Sequence, residues 1–234
     1  MTRQLLLDLL PAPQATLDNF VAGANGAAMD ALGNLPPGRA IYLWGAPGTG
    51  RTHLLKALSA EPDSLYFQAA DAADTLKSVA MAETITFKLI ALDDVGLFNK
   101  AAQAALFALY NRWREMATTG QAFAMLLAGD RAPLAMSLRE DLRTRLGWDL
   151  VFRLEPLSDP DRIAALNKRA HERGLALSPD IIKWLLGHYA RDMGRLGALL
   201  DALDRYSLET HRAITLPLLR DLLALDATTE SNHL

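Results

Sequence analysis

Residues 45–52, Gly-Ala-Pro-Gly-Thr-Gly-Arg-Thr, hold three glycines, a cation and a hydroxyl at the spacing of a phosphate-binding loop. Each residue type has a physical reason to be there. Gly45, Gly48 and Gly50 let backbone N–H groups turn inward on an anion with no Cβ in the way. A helix starting just after them offers its N-terminal N–H groups and dipole to the same charge. Thr52 can place its hydroxyl on Mg²⁺, and Pro47, Thr49 and His53 join the loop as nucleotide-binding candidates. Arg51 stands where such loops usually carry Lys. It keeps the charge but is a wide planar fork rather than a compact ammonium. The expected ligand is ADP or ATP, held by its diphosphate. Placement of the γ-phosphate suffers, because phosphoryl transfer depends on positioning, so turnover is expected to be slow or absent.

Asp93 and Asp94 follow the apolar run Leu89-Ile-Ala-Leu92. Alone, that pattern is an ordinary strand end. One strand downstream of a phosphate loop, it takes the form of a Walker B segment. Asp93 would then hold the Mg²⁺ shell and Asp94 would orient a water. Asp130 ends the next apolar run, where a polar side chain can sense the γ-phosphate; the plainer reading is a turn or cap aspartate. Arg139, Arg143 and Arg145 form a basic stretch between apolar segments, which by itself reads as a solvated face.

These groups need a rigid frame, and the hydrophobic pattern supplies one. Strands are expected at 39–44, 64–67, 87–92, 122–128 and 150–154, with helices at 21–32, 54–58 and 101–116. Strands alternating with helices predict an α/β fold, a parallel sheet with helices on both faces. After Pro156 the pattern turns helical, at 159–172, 180–189, 192–210 and 217–225, with Ser178-Pro179 as a helix-start signal. A small all-helical domain should therefore follow. The expected parts are a flexible tail at 1–13, the nucleotide-binding domain at 14–156, a helical lid at 157–226 and a polar tail at 227–234.

Composition narrows the function. The chain has 234 residues, half of them apolar, a net charge of -3 and a pI near 5.9. That balance disfavours a protein whose main task is gripping nucleic acid. With no cysteine, it has no disulfide, thiol nucleophile or Cys-ligated metal. Its five histidines lack metal-ligand spacing. The first ten residues are too short and too broken by Asp8 for a signal or membrane helix, so a cytoplasmic protein without membrane contact is expected.

With these motifs in place, nearly the whole chain resembles the DnaA branch of the AAA+ ATPases. Within that branch it is most similar to the regulatory inactivators of the replication initiator, whose phosphate loop also carries Arg for Lys. The resemblance rests on Thr16-Leu-Asp-Asn-Phe-Val21 with Gly23 and Asn25, Ile41-Tyr-Leu-Trp44 with Gly50-Arg-Thr-His-Leu-Leu55, and Leu109-Tyr-Asn-Arg112. Gly129-Asp-Arg131, Leu146-Gly-Trp148 and Leu154-Glu-Pro-Leu-Ser-Asp159 complete it.

The resemblance implies that Asn19, Phe20 and Val21 pack near the adenine. It implies that Arg145, in Thr144-Arg-Leu-Gly-Trp148, is an arginine finger acting on a neighbouring subunit, with Arg143 as the alternative. Gln4-Leu-Leu-Leu-Asp-Leu9 is similar to the Gln-Leu-x-Leu-x-Leu peptide that binds the sliding clamp, with Gln4, Leu5, Leu7 and Leu9 as contacts; a strand or helix packed on the core is the other reading. The family's lid presents a sensor arginine two residues before a leucine. Here Gly194 holds that place, and Arg195, the candidate lid sensor toward the nucleotide, follows one step on, turned by roughly 100 degrees.

The implied function is negative regulation of replication initiation. The chain would bind nucleotide and the DNA-loaded clamp, and would complete the ATPase site of the initiator DnaA in trans, with no sequence-specific DNA binding of its own. The alternative is a self-sufficient AAA+ ATPase that loads or remodels replication proteins. Homo-oligomerisation is left open.

Overall fold

The computed structural model describes residues 14–69, 72–188 and 193–230. The chain divides into two compact units, with the border between Pro156 and Leu157.

In the first unit, elements alternate as α1 (Gly26–Gly33), β1 (Ala40–Trp44), α2 (Arg51–Leu58), β2 (Ser64–Phe67), α3 (Ala72–Met81) and β3 (Leu89–Leu92). They continue with a 3₁₀ turn (Val95–Leu97), α4 (Lys100–Met116), β4 (Ala124–Gly129), a second 3₁₀ turn (Pro133–Ala135), α5 (Glu140–Leu146) and β5 (Leu150–Arg153). The strands form one sheet in the order β2-β3-β4-β1-β5, and every neighbouring pair is parallel. β3 and β4 are buried along their whole length and β1 nearly so, as strands covered on both faces must be.

The two-residue period splits each central strand between two cores. Ile41, Leu43, Ala91 and Leu126 pack on one face with Leu54 and Leu55 of α2. Tyr42, Ile90, Met125 and Leu127 pack on the other with Leu106, Leu109 and Tyr110 of α4. This burial makes the sheet stiff, so side chains at its strand ends are held in place.

The structure shifts several expected boundaries. α1 begins at Gly26 rather than near residue 21, because Gly23 turns left-handed (φ 51°) and Asn25 N–H donates to Ala22 O at 2.8 Å in a preceding turn. α2 begins at Arg51, not Leu54; Leu54 N–H already donates to Gly50 O at 3.0 Å. α3 and α5 are helices that periodicity did not reveal. α3 carries Asp74, Thr75, Lys77 and Ser78 among apolar residues that are half alanine, and α5 is seven residues long with two buried leucines.

The second unit is helical: α6 (Asp159–Glu172), α7 (Pro179–His188), α8 (Met193–Thr210) and α9 (Leu216–Glu230). Ser158 caps α6 by accepting from Asp161 N–H, and a proline follows in the first turn. α9 continues past Asp226 to Glu230. Leu166, Ile181, Leu185, Leu199, Leu203 and Leu219 are among the core side chains. Gly197 is buried where α8 meets α6, and any Cβ there would strike the Arg169 guanidinium. Arg169 and Arg173 both approach Asp201, at 3.9 and 2.6 Å.

Candidate nucleotide site

Parallel strands gather their carboxyl ends along one edge of the sheet, and α/β proteins bind ligands there. The phosphate loop leaves β1 and runs directly into α2. Its glycines are needed for space. A Cβ on Gly45 would lie 2.6 Å from Leu154 O, and one on Gly50 would lie 2.5 Å from Phe20 Cε2. Gly48 and Gly50 adopt φ of 81° and 92°. Thr49 is buried and folds the loop on itself, its hydroxyl donating to Ala46 O at 2.9 Å.

β3 ends at the same edge of the sheet, separated from β1 by β4. Asp93 is 2 % exposed and fixed on both oxygens. Tyr66 OH donates to Oδ2 and Asp94 N–H to Oδ1, each at 2.9 Å. Asp94 is held at φ 47°, an uncommon left-handed setting for a residue with a side chain. Burial pushes its carboxyl above the usual aspartate range, Asp93 and Asp130 add to the rise, and Arg51 opposes it. Arg51 Nη2 lies 3.8 Å from Asp94 Oδ1. Arg51 Nη1 is buried without a hydrogen-bond partner. An orphaned guanidinium N–H beside a glycine loop fits an anionic oxygen as its partner.

β4 contributes the third acid. Asp130 is exposed at the strand end, with Arg131 Nε 3.2 Å from Oδ2. Tyr42, on β1, donates its hydroxyl to Arg131 O at 2.8 Å, and lies so close under Gly129 that no Cβ fits there. Burial above all, then Asp130, raises the Tyr42 phenol far above its ordinary value, so it stays a donor. Asp94, Gly96, Asp130, Arg131 and Met136 line a cavity of about 320 Å³. Arg51, Asp93, Asp94 and Asp130 therefore converge at the ends of three neighbouring strands. Among the described residues no cluster of acids and histidines could bind a metal alone. Thr52 and Asp93 suit Mg²⁺ only as partners of phosphate oxygens, as is usual for that ion.

The opening segment packs on the loop from outside. Phe20 covers Gly50 and lies 5.6 Å from the His53 ring, and His53 Nε2 is 2.9 Å from Thr16 O. Asn19 accepts from Thr16 N–H at 3.0 Å, and Val21 is half-buried. Buried Asn25 bonds both main-chain groups of Glu155, at 3.0 and 2.7 Å, so this segment is tied to the end of β5.

Arg145 lies on α5, a separate place on the same unit. Its guanidinium stacks 3.6 Å from the Phe107 ring centroid and 4.9 Å from that of Trp148, and hydrogen-bonds Asn111 Oδ1. Arg143 instead reaches Leu134 O at 3.4 Å and has a buried, unpartnered Nε. Of the two, Arg145 is held by two aromatic faces. In the helical unit, Arg195 is exposed in the first turn of α8, after exposed Gly194 and before buried Leu196. Gln4, Leu5, Leu7 and Leu9 lie outside the described residues.

Sequence reasoning did not assign roles to Tyr42, Tyr66, Phe107, Asn111 or Trp148. The first two signalled only strand, and the other three became meaningful once α4 and α5 were side by side.

Residues 159–223 match the family profile described as Hda, lid domain. Among solved structures, domain III of the Thermotoga maritima replication initiation protein DnaA is similar at 24 % identity and a TM-score of 0.72, covering 92 % of this chain and 98 % of that one. AMPPCP-bound DnaA from Aquifex aeolicus is similar at 24 % identity and a TM-score of 0.64, over 84 % of this chain and 67 % of that one. The Thermotoga maritima RuvB branch migration motor shares the fold at 16 % identity and a TM-score of 0.64, over 94 % of this chain and 73 % of that one. The parallel five-stranded sheet with a helical unit after it is thus the fold of these DnaA and RuvB structures, and residues 159–223 carry the similarity to the Hda lid domain.

Proposed function

We propose that the chain binds ADP or ATP with Mg²⁺ in the loop at 45–52 and switches off replication initiation by completing the ATPase site of DnaA. Arg145 would act in trans as the arginine finger, with the DNA-loaded sliding clamp held through Gln4, Leu5, Leu7 and Leu9. The observation that carries this reading is the setting of Arg145. Its guanidinium is fixed by Phe107, Trp148 and Asn111, with no carboxylate among its described contacts, and it sits apart from the chain's own phosphate loop. A cation kept that way suits charge building on a phosphoryl group of another molecule. Nucleotide binding is supported by the orphaned Arg51 Nη1 and by the AMPPCP held by the similar Aquifex aeolicus protein. Weak or absent turnover by the chain itself follows from Arg51 lying beside Asp94. No described helix is long and apolar enough to cross a membrane.

Hydrolysis of DnaA-bound ATP, with the chain, nucleotide and clamp on DNA each omitted in turn, tests the reading. Hydrolysis should require all of them. Arg145→Ala should lower the stimulated rate by roughly a thousandfold or more, and replacing Gln4 and Leu5 by Ala should remove the clamp dependence. The convergence of Asp93, Asp94 and Asp130 favours a second reading, a self-sufficient ATPase, which predicts full hydrolysis by the chain alone.

A further inference from the structure

Arg145 shares its indole. Trp148 is 40 % exposed, and a second guanidinium, that of Arg114 on α4, lies 4.8 Å from its ring centroid. Neither cation has a carboxylate partner among the described residues. Arg145 bonds the neutral Asn111, and Arg114 contacts only the ring. Arg139, the next guanidinium along, differs: it lies 5.2 Å from the Phe107 centroid but is paired with Asp141 at 2.7 Å. Burial, and next to it the charges of Arg114 and Arg139, hold Arg145 below its usual pKa against the pull of Asp141. Cation–π contacts orient a guanidinium and stabilise it, but they leave its charge in place. Two like charges fixed on one exposed ring are unfavourable until an anion lies against both.

We infer that Arg114 and Arg145 form a two-guanidinium grip on Trp148 for a polyphosphate chain, the triphosphate tail of a nucleotide seated in another protein's phosphate loop. This rests on the finger reading of Arg145 and adds Arg114 as the second contact. A triphosphate suits the pair because it offers several oxygens in a short span to two planar forks. A nucleic-acid backbone suits it less, since two guanidinium groups span only a short stretch of charge and the chain is acidic overall. The two arginines divide the work. Arg145, half-buried and hydrogen-bonded, is positioned for the reacting phosphoryl group; Arg114, exposed, holds the chain next to it.

Arg114→Ala, Arg114→Lys and Arg145→Ala in the full chain test this by two readouts. In stimulated hydrolysis by the partner, Arg114→Ala should raise the half-saturating concentration on the order of tenfold, the loss of one charged hydrogen bond. The plateau rate should hold, the salt dependence should flatten, and Arg114→Lys should recover part of the loss. With the chain's own site filled by ADP, inorganic tripolyphosphate should change the Trp148 fluorescence, identified by difference from Trp148→Phe, and Arg114→Ala should weaken that binding. If Arg145→Ala abolishes stimulation while Arg114→Ala leaves both readouts unchanged, the finger stands and the grip is overturned. If Arg145→Ala leaves the plateau unchanged, the finger reading fails, and loss of the tripolyphosphate signal in Arg114→Ala still decides for the grip. Loss of duplex DNA binding with tripolyphosphate binding intact in Arg114→Ala would overturn the assigned ligand.

Discussion

At the scale of single residues, one substitution in the phosphate loop sets the chemistry. A lysine at position 51 would present a compact ammonium to phosphate. Arginine spreads its charge over a wider fork, and here that fork reaches Asp94 at 3.8 Å while its other Nη remains buried and available. The acid proposed to orient water is thus partly neutralised by the group proposed to hold phosphate. Shortening the cation should undo this. Arg51→Lys is expected to raise the chain's own single-turnover ATP hydrolysis on the order of a hundredfold, the usual contribution of a working acid–base group. Arg51→Lys combined with Asp94→Asn should return to the starting rate. A gain of activity in Arg51→Lys that survives loss of Asp94 would show that the two residues are not coupled in this way.

At the scale of elements, the turn into β5 holds the surface that carries Arg145. Trp148 ends at Asp149, and Asp149 is clamped by Arg39 through Nε at 2.7 Å and Nη2 at 2.6 Å, and by Ala40 N–H at 2.8 Å, at the start of β1. Burial alone would raise the Asp149 carboxyl, but the Arg39 and Ala40 hydrogen bonds and the Arg39 charge outweigh it and hold the group below its ordinary value. A folded pKa below the unfolded one means stabilisation that is complete above the ordinary aspartate range and lost as pH falls through the folded value. Asp149→Asn should therefore cost about 1 kcal/mol near pH 7 in urea unfolding, at the low end because solvent screens Arg39, whose side chain is 46 % exposed. The difference from the parent should shrink as pH falls below the ordinary aspartate range and vanish once the folded carboxyl is protonated. How much was legible in the residues follows the same scale. β1, β3 and β4 read clearly because both their faces are buried, and the glycine loop between β1 and α2 read clearly because Gly48 and Gly50 take left-handed φ values there. α5 did not, since seven residues with two leucines hold too little pattern. Tyr66 beneath Asp93 and Trp148 beneath Arg145 were not legible either, because both roles depend on packing between different elements.

At the scale of the molecule, two units with separate cores invite the question of whether nucleotide bound by one is felt by the other. The candidate phosphate contacts come from the unit at 15–156, and the lid offers Gly194 where the resemblance places a sensor arginine. Three of the four tryptophans, Trp44, Trp113 and Trp148, belong to the first unit, and Trp184 belongs to the second. The difference between the chain and its Trp184→Phe variant thus reports lid unfolding alone. ADP at a hundred times its dissociation constant should stabilise the unit that binds it by about 2.7 kcal/mol, raising its melting temperature by roughly 5–10 °C. The Trp184 transition should stay where it is, because Arg195 is one helical step, roughly 100 degrees, from the sensor direction. A Trp184 transition that moves with ADP, and stops moving in Arg195→Ala, would instead make Arg195 the link by which nucleotide orders the lid.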